Sequence, residues 1–294
     1  MTYEQVLKAW EEQLLRLPKN VEVQIVEDDG TYRGRKLDEF AGDADALIGL
    51  RIEHGMLDET FWKKHPQLKY VGTLSHAYGE FDKELSRRYN VTITNTVYGV
   101  SIIAEYTWAF ILKLCGKEPL EGKTLGIIGQ GAIGKRVAAI GRNFGMEILT
   151  WDPVRKRDGL NQLFEKSDII SLNARVVQET REIICKKSLM QMKPGVIIVN
   201  TARGALIQEK DLYDALVERK VKAAGLDVFT KEPPDLPEQL MQCPYCKTSG
   251  HIAWMTEEAV YRTIAIGMEN FLAYLAGKPV SVINQEFEHE LEPY

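Results

Sequence analysis

Short runs of β-branched and aliphatic residues alternate with amphipathic stretches along most of this chain, the pattern of βαβ units built on parallel sheets. In the first hundred residues the runs fall at 21–26, 46–50, 70–73 and 91–94, and each predicts a strand. Helical spacing marks 57–64 and 82–88 between some of them, and a further helical stretch, 3–17, opens the chain. Positions 101–114 read as one long apolar helix, followed by a break at 115–119. A more regular series starts at Lys123. Its strands are expected at 124–128, 147–151, 169–172, 196–200 and 223–227, with another at Thr248. Helices are expected between them at 133–143, 187–192 and 209–219. A last helix, 256–277, leads into 278–284 and a charged tail, 286–294, that has little to hold it.

Composition narrows the function. A chain of 294 residues, 45% hydrophobic and 27% charged, has room for two domains. Its formal net charge of −5 offers no basic face for nucleic acid. No apolar run is long enough to span a bilayer, and the opening Met1-Thr-Tyr-Glu-Gln-Val lacks the basic start and apolar core of a signal peptide. The four cysteines read as reduced thiols. A cytoplasmic protein is the expectation, with neither nucleic acid nor membrane as partner.

The run after the first strand of the second series carries the chemistry. Gly129-Gln130-Gly131-Ala132-Ile133-Gly134 joins strand 124–128 to a helix, the context a G-x-G-x-x-G dinucleotide turn requires. The first glycine allows the tight turn, the second lets backbone approach a pyrophosphate, and the third lets helix and strand pack closely. The N–H groups at the helix start then face the phosphate charge. The next strand ends at Asp152, 18 positions beyond Gly134, where a carboxylate can bind the ribose hydroxyls. That carboxylate repels a 2′-phosphate and favours NAD over NADP, although Arg155, Lys156 and Arg157 follow closely.

A second group follows at the ends of later strands. Arg203, in Asn200-Thr-Ala-Arg-Gly204, can fork onto a substrate carboxylate and polarise the adjacent carbonyl. Asp227 ends strand 223–227, in reach of a nicotinamide carboxamide. His251 can carry a proton, and Glu232 in the preceding loop can orient its ring and stabilise the imidazolium. A hydride carrier beside an Arg, a Glu and a His is equipped to reduce a carbonyl.

These residues, with Gly122-Lys-Thr-Leu-Gly-Ile-Ile-Gly129, Met192-Lys-Pro-Gly195, Gly225-Leu-Asp-Val-Phe229, Glu232-Pro233 and His251-Ile-Ala-Trp254, resemble the D-isomer-specific 2-hydroxyacid dehydrogenases over most of the chain. Leu74-Ser-His-Ala-Tyr-Gly79 and Tyr98-Gly99 are most similar to the glycerate dehydrogenase (hydroxypyruvate reductase) branch. The resemblance implies an α/β fold of two doubly wound parallel-sheet domains. A Rossmann NAD-binding domain, 96–269, is inserted into a smaller flavodoxin-like substrate domain made of 1–95 and 270–294. It implies Arg203, Glu232 and His251 as the catalytic set, with backbone N–H groups of Ser75, His76, Ala77, Tyr78 and Gly79 seating the substrate carboxylate. Thr107 would touch the nicotinamide, and Thr201 and Ala202 belong with the cofactor contacts. The implied reaction passes a hydride between NAD(H) and a small 2-oxo acid, hydroxypyruvate or glyoxylate, with no metal, in a homodimer. A non-enzymatic alternative is an NAD-sensing, corepressor-like relative.

The chain departs from that pattern in four places. It opens on a helical stretch where relatives begin with a strand, and only 115–122 stands where an arm usually wraps the partner subunit. Arg175 and Gly250 each stand where proline is usual. Two other features compete for a role. Cys243-Pro-Tyr-Cys246 has dithiol spacing but lies in a Pro-rich loop, and no second Cys pair accompanies it for zinc. His54 reads as a turn residue, His65 as an exposed loop residue, and His76 as part of the carboxylate loop.

Overall fold

The computed structural model describes residues 3–26, 37–49, 52, 56–75, 82–154, 159–232 and 239–284. The chain divides into two compact units, Met1–Gly99 with Thr256–Tyr294, and Val100–Met255.

The first unit begins with helix α1 (Tyr3–Leu14) and continues through α2 (Leu37–Ala41), β1 (Ala46–Gly49), α3 (Glu59–Lys64), β2 (Tyr70–Thr73), α4 (Lys83–Arg88) and β3 (Thr92–Asn95). Aspartates start the two helices that flank β2. Asp58 accepts the Phe61 N–H and Asp82 the Leu85 N–H, each at 2.8 Å, which satisfies donors the first helical turn leaves open. The strands form a parallel sheet in the order β1-β2-β3. Successive residues of β2 serve opposite faces: Val71 packs with Phe61, Trp62 and Leu85, while Tyr70 packs with Met268 and Phe271.

Residues 21–26 are not a strand, contrary to their alternating pattern. They follow Pro18, lie outside the sheet ladder, and leave Val23, Ile25 and Val26 exposed. Alternation records a preference for two faces, whereas a strand also needs a neighbour to receive its N–H and C=O groups. His65 also departs from expectation. It caps α3 and is buried, with Nδ1 3.2 Å from the Gly42 carbonyl and Nε2 3.4 Å from an Asp38 oxygen.

The second unit runs α5 (Val100–Cys115), β4 (Thr124–Ile128), α6 (Ala132–Asn143), β5 (Glu147–Trp151), α7 (Leu160–Lys166), β6 (Ile169–Leu172), α8 (Lys186–Gln191), β7 (Val196–Asn200), α9 (Glu209–Val217), β8 (Val221–Leu226), α10 (Gln239–Gln242) and β9 (Cys246–Thr248). All ladders are parallel, in the order β5-β4-β6-β7-β8-β9. The winding is legible in single strands. Ile197 and Val199 of β7 join a layer with Ala104, Trp108 and Val137 of α5 and α6. Val196 and Ile198 join the opposite layer, with Leu163, Leu189, Leu212 and Leu216 of α7, α8 and α9. Both faces of the sheet are therefore covered, as a parallel sheet requires. The order reverses at β4, which pairs with β5 on one side and β6 on the other, and such reversals open a crevice at the carboxyl ends of the strands. The short connection after α5 is fastened by Glu118, which accepts from Lys222 and Lys123; these bonds hold its carboxyl down at about 2.

The chain then returns to the first unit as α11 (Glu257–Leu275), capped by Thr256, whose hydroxyl accepts the Ala259 N–H. Asn284 closes that unit. Its amide donates to Ser86 and to the Val91 carbonyl, its Oδ1 accepts the Ile93 N–H, and Val282 bridges Thr94. Among the described residues, no helix is long and apolar enough to cross a membrane.

Candidate active site

The turn after β4 is held by contacts that admit no side chain at two of its three glycines. Gly129 has φ 100°, and a Cβ there would lie 2.6 Å from the Asn173 and Ala174 backbone. A Cβ on Gly134 would lie 2.0 Å from the Gly129 carbonyl oxygen. Gly131 differs. It caps α6 with no side-chain hydrogen bond, and nothing approaches its Cβ direction within 4 Å. Two glycines thus serve the fold, and the third keeps a cradle clear at the N-terminus of a twelve-residue helix. Ala132 is exposed beside it, and Ile133 is partly buried against the α5–α6 layer.

Asp152 is tied into the same turn. One carboxylate oxygen accepts the Gln130 N–H at 2.8 Å, the other the Val154 N–H at 3.0 Å, and the Gln130 amide donates to the Thr150 hydroxyl. A carboxylate one strand away from an open helix N-terminus is the donor and acceptor set of a ribose and a pyrophosphate, so these residues fit a dinucleotide.

Deeper in the unit, the hydroxyls of Thr107 and Thr201 lie 2.7 Å apart and buried, joining α5 to the end of β7. Asn200, fully buried, folds the next turn: its Oδ1 accepts the Ala202 N–H and its amide donates to the Arg203 carbonyl. Arg203 donates from Nη1 to the Ala202 carbonyl at 2.7 Å. Gly204 then lies directly on the loop after β8, where a Cβ would fall 1.9 Å from the Phe229 carbonyl carbon.

That loop carries Glu232. Its Oε1 accepts the Phe229 N–H at 3.0 Å, and its Oε2 is 2.6 Å from His251 Nδ1. Burial acts to raise the Glu232 carboxyl, but the bond and charge of His251, the Phe229 N–H and the Arg203 guanidinium outweigh it and hold the group below its ordinary value. An ionised carboxylate can only accept, so Nδ1 carries the hydrogen and Nε2 is left for an incoming group. The pair is about one-third exposed, 37% for His251 and 33% for Glu232.

His251 itself stands in the left-handed region at φ 58°, uncommon for a residue with a Cβ. Asp227 maintains it there. The Asp227 carbonyl accepts the His251 N–H, and its carboxylate accepts the Ile252 and Ala253 N–H groups and the Ser249 hydroxyl. The Trp254 indole donates to the His251 carbonyl at 3.1 Å. Ser249 carries no signal in the sequence, and Asn200 enters there only as the first residue of the run that holds Arg203. Only the position of Asn200 at a strand end hinted at a turn-forming amide.

Against known proteins, residues 101–253 match the model of the D-isomer specific 2-hydroxyacid dehydrogenase NAD-binding domain. A hydroxypyruvate reductase of Blautia hydrogenotrophica is 32% identical over 280 residues, covering 83% of this chain and 86% of that one. The chain belongs to the D-isomer specific 2-hydroxyacid dehydrogenase family. A glyoxylate reductase of Aeropyrum pernix is 33% identical over 86% of this chain and 87% of its own. The D-lactate dehydrogenase of Aquifex aeolicus, solved with NAD and lactic acid, superposes with a TM-score of 0.81 at 25% identity over 94% of each chain. This chain is an NAD-linked oxidoreductase acting on CH–OH groups, with the α/β parallel-sheet fold the sequence predicts.

In this dehydrogenase, Arg203, Glu232 and His251 come together within one unit, as do Gly129 to Gly134 with Asp152, and Thr107 with Thr201. Ser75 stands in the other unit after β2, where its carbonyl accepts the Thr96 N–H. His76, Ala77, Tyr78 and Gly79 lie outside the described residues, as do His54, Arg155, Lys156 and Arg157. Cys243 and Cys246 are both buried, and burial beside Cys243 pushes the Cys246 thiol up to about 12. Burial of both sulfurs withholds them from an exchange partner, which counts against the dithiol reading.

Proposed function

We propose that this dehydrogenase reduces a small 2-oxo acid to the D-2-hydroxy acid, with hydroxypyruvate and glyoxylate the preferred substrates. The carrying observation is the 2.6 Å contact between His251 Nδ1 and an ionised Glu232, beside Arg203. The substrate choice is supported by the names of the Blautia and Aeropyrum relatives.

NADH, when bound, would supply the hydride. The N–H groups at Gly131, Ala132 and Ile133 would hold its pyrophosphate, Asp152 its ribose hydroxyls, and Gln130, Thr107, Thr201, Ala202 and Asp227 would complete its surroundings. Asp152 prefers NADH to NADPH because it opposes a second phosphate at the ribose. Arg203 binds the substrate carboxylate and draws electron density from the adjacent carbonyl. His251 passes its Nε2 proton to the carbonyl oxygen as that becomes a hydroxyl, and Glu232 orients the ring and stabilises its charged form. Backbone N–H groups of residues 75–79 are assigned to the substrate carboxylate. The unit Val100–Met255 is the proposed cofactor domain and Met1–Gly99 with Thr256–Tyr294 the proposed substrate domain, so that residues 96–99 and 256–269, expected with the cofactor domain, go with the other unit. A cytoplasmic homodimer with a reduced arm at 115–122 is the proposed assembly.

The test follows NADH oxidation by purified protein with hydroxypyruvate, glyoxylate, pyruvate, 2-oxobutyrate and phenylpyruvate, with NADPH in parallel. Turnover greatest on the first two and with NADH is expected. NADH binding with no turnover on any of them would sink the proposal and favour a regulatory role.

A further inference from the structure

Glu209 is the first residue of α9, and its side chain leaves the helix. Its Oε1 accepts the Thr230 N–H at 2.6 Å. The preceding N–H, that of Phe229, goes to Glu232. Two adjacent backbone donors of one loop are thus held by two carboxylates, and only Glu209 comes from outside the loop. It comes from the segment that begins with Arg203. Gly204 lies against the same peptide, where a Cβ would be 2.2 Å from the Thr230 nitrogen. Residues 203–209 and 229–232 are therefore joined at two points: a close backbone contact at Gly204 and a charged hydrogen bond at Glu209.

We propose that Glu209 is a positioning residue for the reaction, setting the loop that carries Glu232 against the segment that carries Arg203. The inference rests on the roles given above to Arg203, Glu232 and His251. A carboxylate accepting from a backbone N–H is among the stronger hydrogen bonds, and a small displacement of a proton-transfer pair is costly. The bland alternative is that Glu209, like Asp211, merely opposes the dipole of α9. Glu209→Asp separates the two, because it keeps the charge in the first helical turn but falls one methylene short of Thr230. Glu209→Gln does the reverse, keeping an acceptor oxygen without the charge.

The experiment compares Glu209→Ala, Glu209→Asp and Glu209→Gln, alone and combined with Glu232→Gln. The readouts are turnover, NADH affinity, amide exchange at Thr230 and the nitrogen shifts of the His251 ring. Glu209→Ala and Glu209→Asp are expected to lower kcat about tenfold, with NADH affinity unchanged within about twofold. Both should speed Thr230 exchange and move the His251 shifts toward those of Glu232→Gln, while Glu209→Gln stays near wild type. In the Glu232→Gln background Glu209→Ala should add less than about a twofold loss. Normal activity and ring shifts in Glu209→Asp, or equal losses in both backgrounds, would overturn the inference. A wild type without turnover would defeat the dehydrogenase reading, and the exchange and ring shifts would still decide whether Glu209 sets the loop.

Discussion

Asp227 accepts the backbone N–H of His251 on its carbonyl oxygen at 2.7 Å, while its carboxylate takes the next two N–H groups of the chain. The aspartate is 1% exposed, and its bond to the Ala253 N–H is fully buried. Together they hold His251 in a left-handed conformation that its own Cβ disfavours.

Asp227→Asn replaces one acceptor oxygen with a donor facing backbone N–H groups. A loss of about 1–3 kcal/mol in stability is expected from the unsatisfied buried donor. Turnover should fall further than NADH affinity, because the loop that moves carries His251. Denaturant titration and steady-state kinetics on the same preparation check this, and an unchanged stability would show that the clamp is not needed.

Removing the proton carrier separates chemistry from binding. His251→Gln is expected to lower turnover about 10²–10⁴-fold while NADH binding, followed by fluorescence, stays near wild type. Equal loss of both would contradict the role given to His251.

Arg203→Lys keeps the charge and loses the fork. The expected cost falls on the 2-oxo acid, about 1.5–3 kcal/mol of binding for a charged hydrogen bond, with NADH affinity little changed. Substrate titration at saturating NADH measures it. A variant weakened chiefly toward NADH would place Arg203 on the cofactor instead.

The glycines of the dinucleotide turn should divide by role. Gly134→Ala places a methyl 2.0 Å from a carbonyl oxygen and is expected to destabilise by about 1–3 kcal/mol through overpacking. Gly131→Ala meets no protein atom, so thermal stability should hold while NADH affinity falls. Thermal melts with and without NADH distinguish them, and an unimpaired NADH affinity in Gly131→Ala would remove the pyrophosphate from that cradle.

Glu232 makes stability depend on acid in one direction. Its carboxyl sits below the ordinary 4.5 in the folded protein, so its stabilising contribution is complete above that value. The contribution is lost as pH falls through the lowered folded value. The stability gap between wild type and Glu232→Gln should shrink as pH falls below 4.5. Urea titrations at three pH values test this, and a gap that widens in acid would reverse the assignment.

Much of this protein is local and was legible as such. The alternation of strands and helices from 124 onward follows from side-chain period, and the Gly129 to Gly134 turn from backbone freedom at fixed spacing. Arg203, Glu232 and His251 were readable as chemical types at strand ends. Other features depended on distant partners. Residues 21–26 carry a strand's pattern without a place in the ladder, and His65 is buried where its ring meets the Gly42 carbonyl and Asp38.

The sequence by itself determined the element series, the dinucleotide turn and the kinds of chemical group available, because these rest on neighbours a few residues apart. Only the tertiary structure decided that His251 meets Glu232 at 2.6 Å, that Asp227 faces the 249–253 loop, and that Glu209 reaches Thr230. Hydrogen bonds of that kind join separate segments, and their partners are chosen by how the sheet and its loops close, which local pattern does not encode.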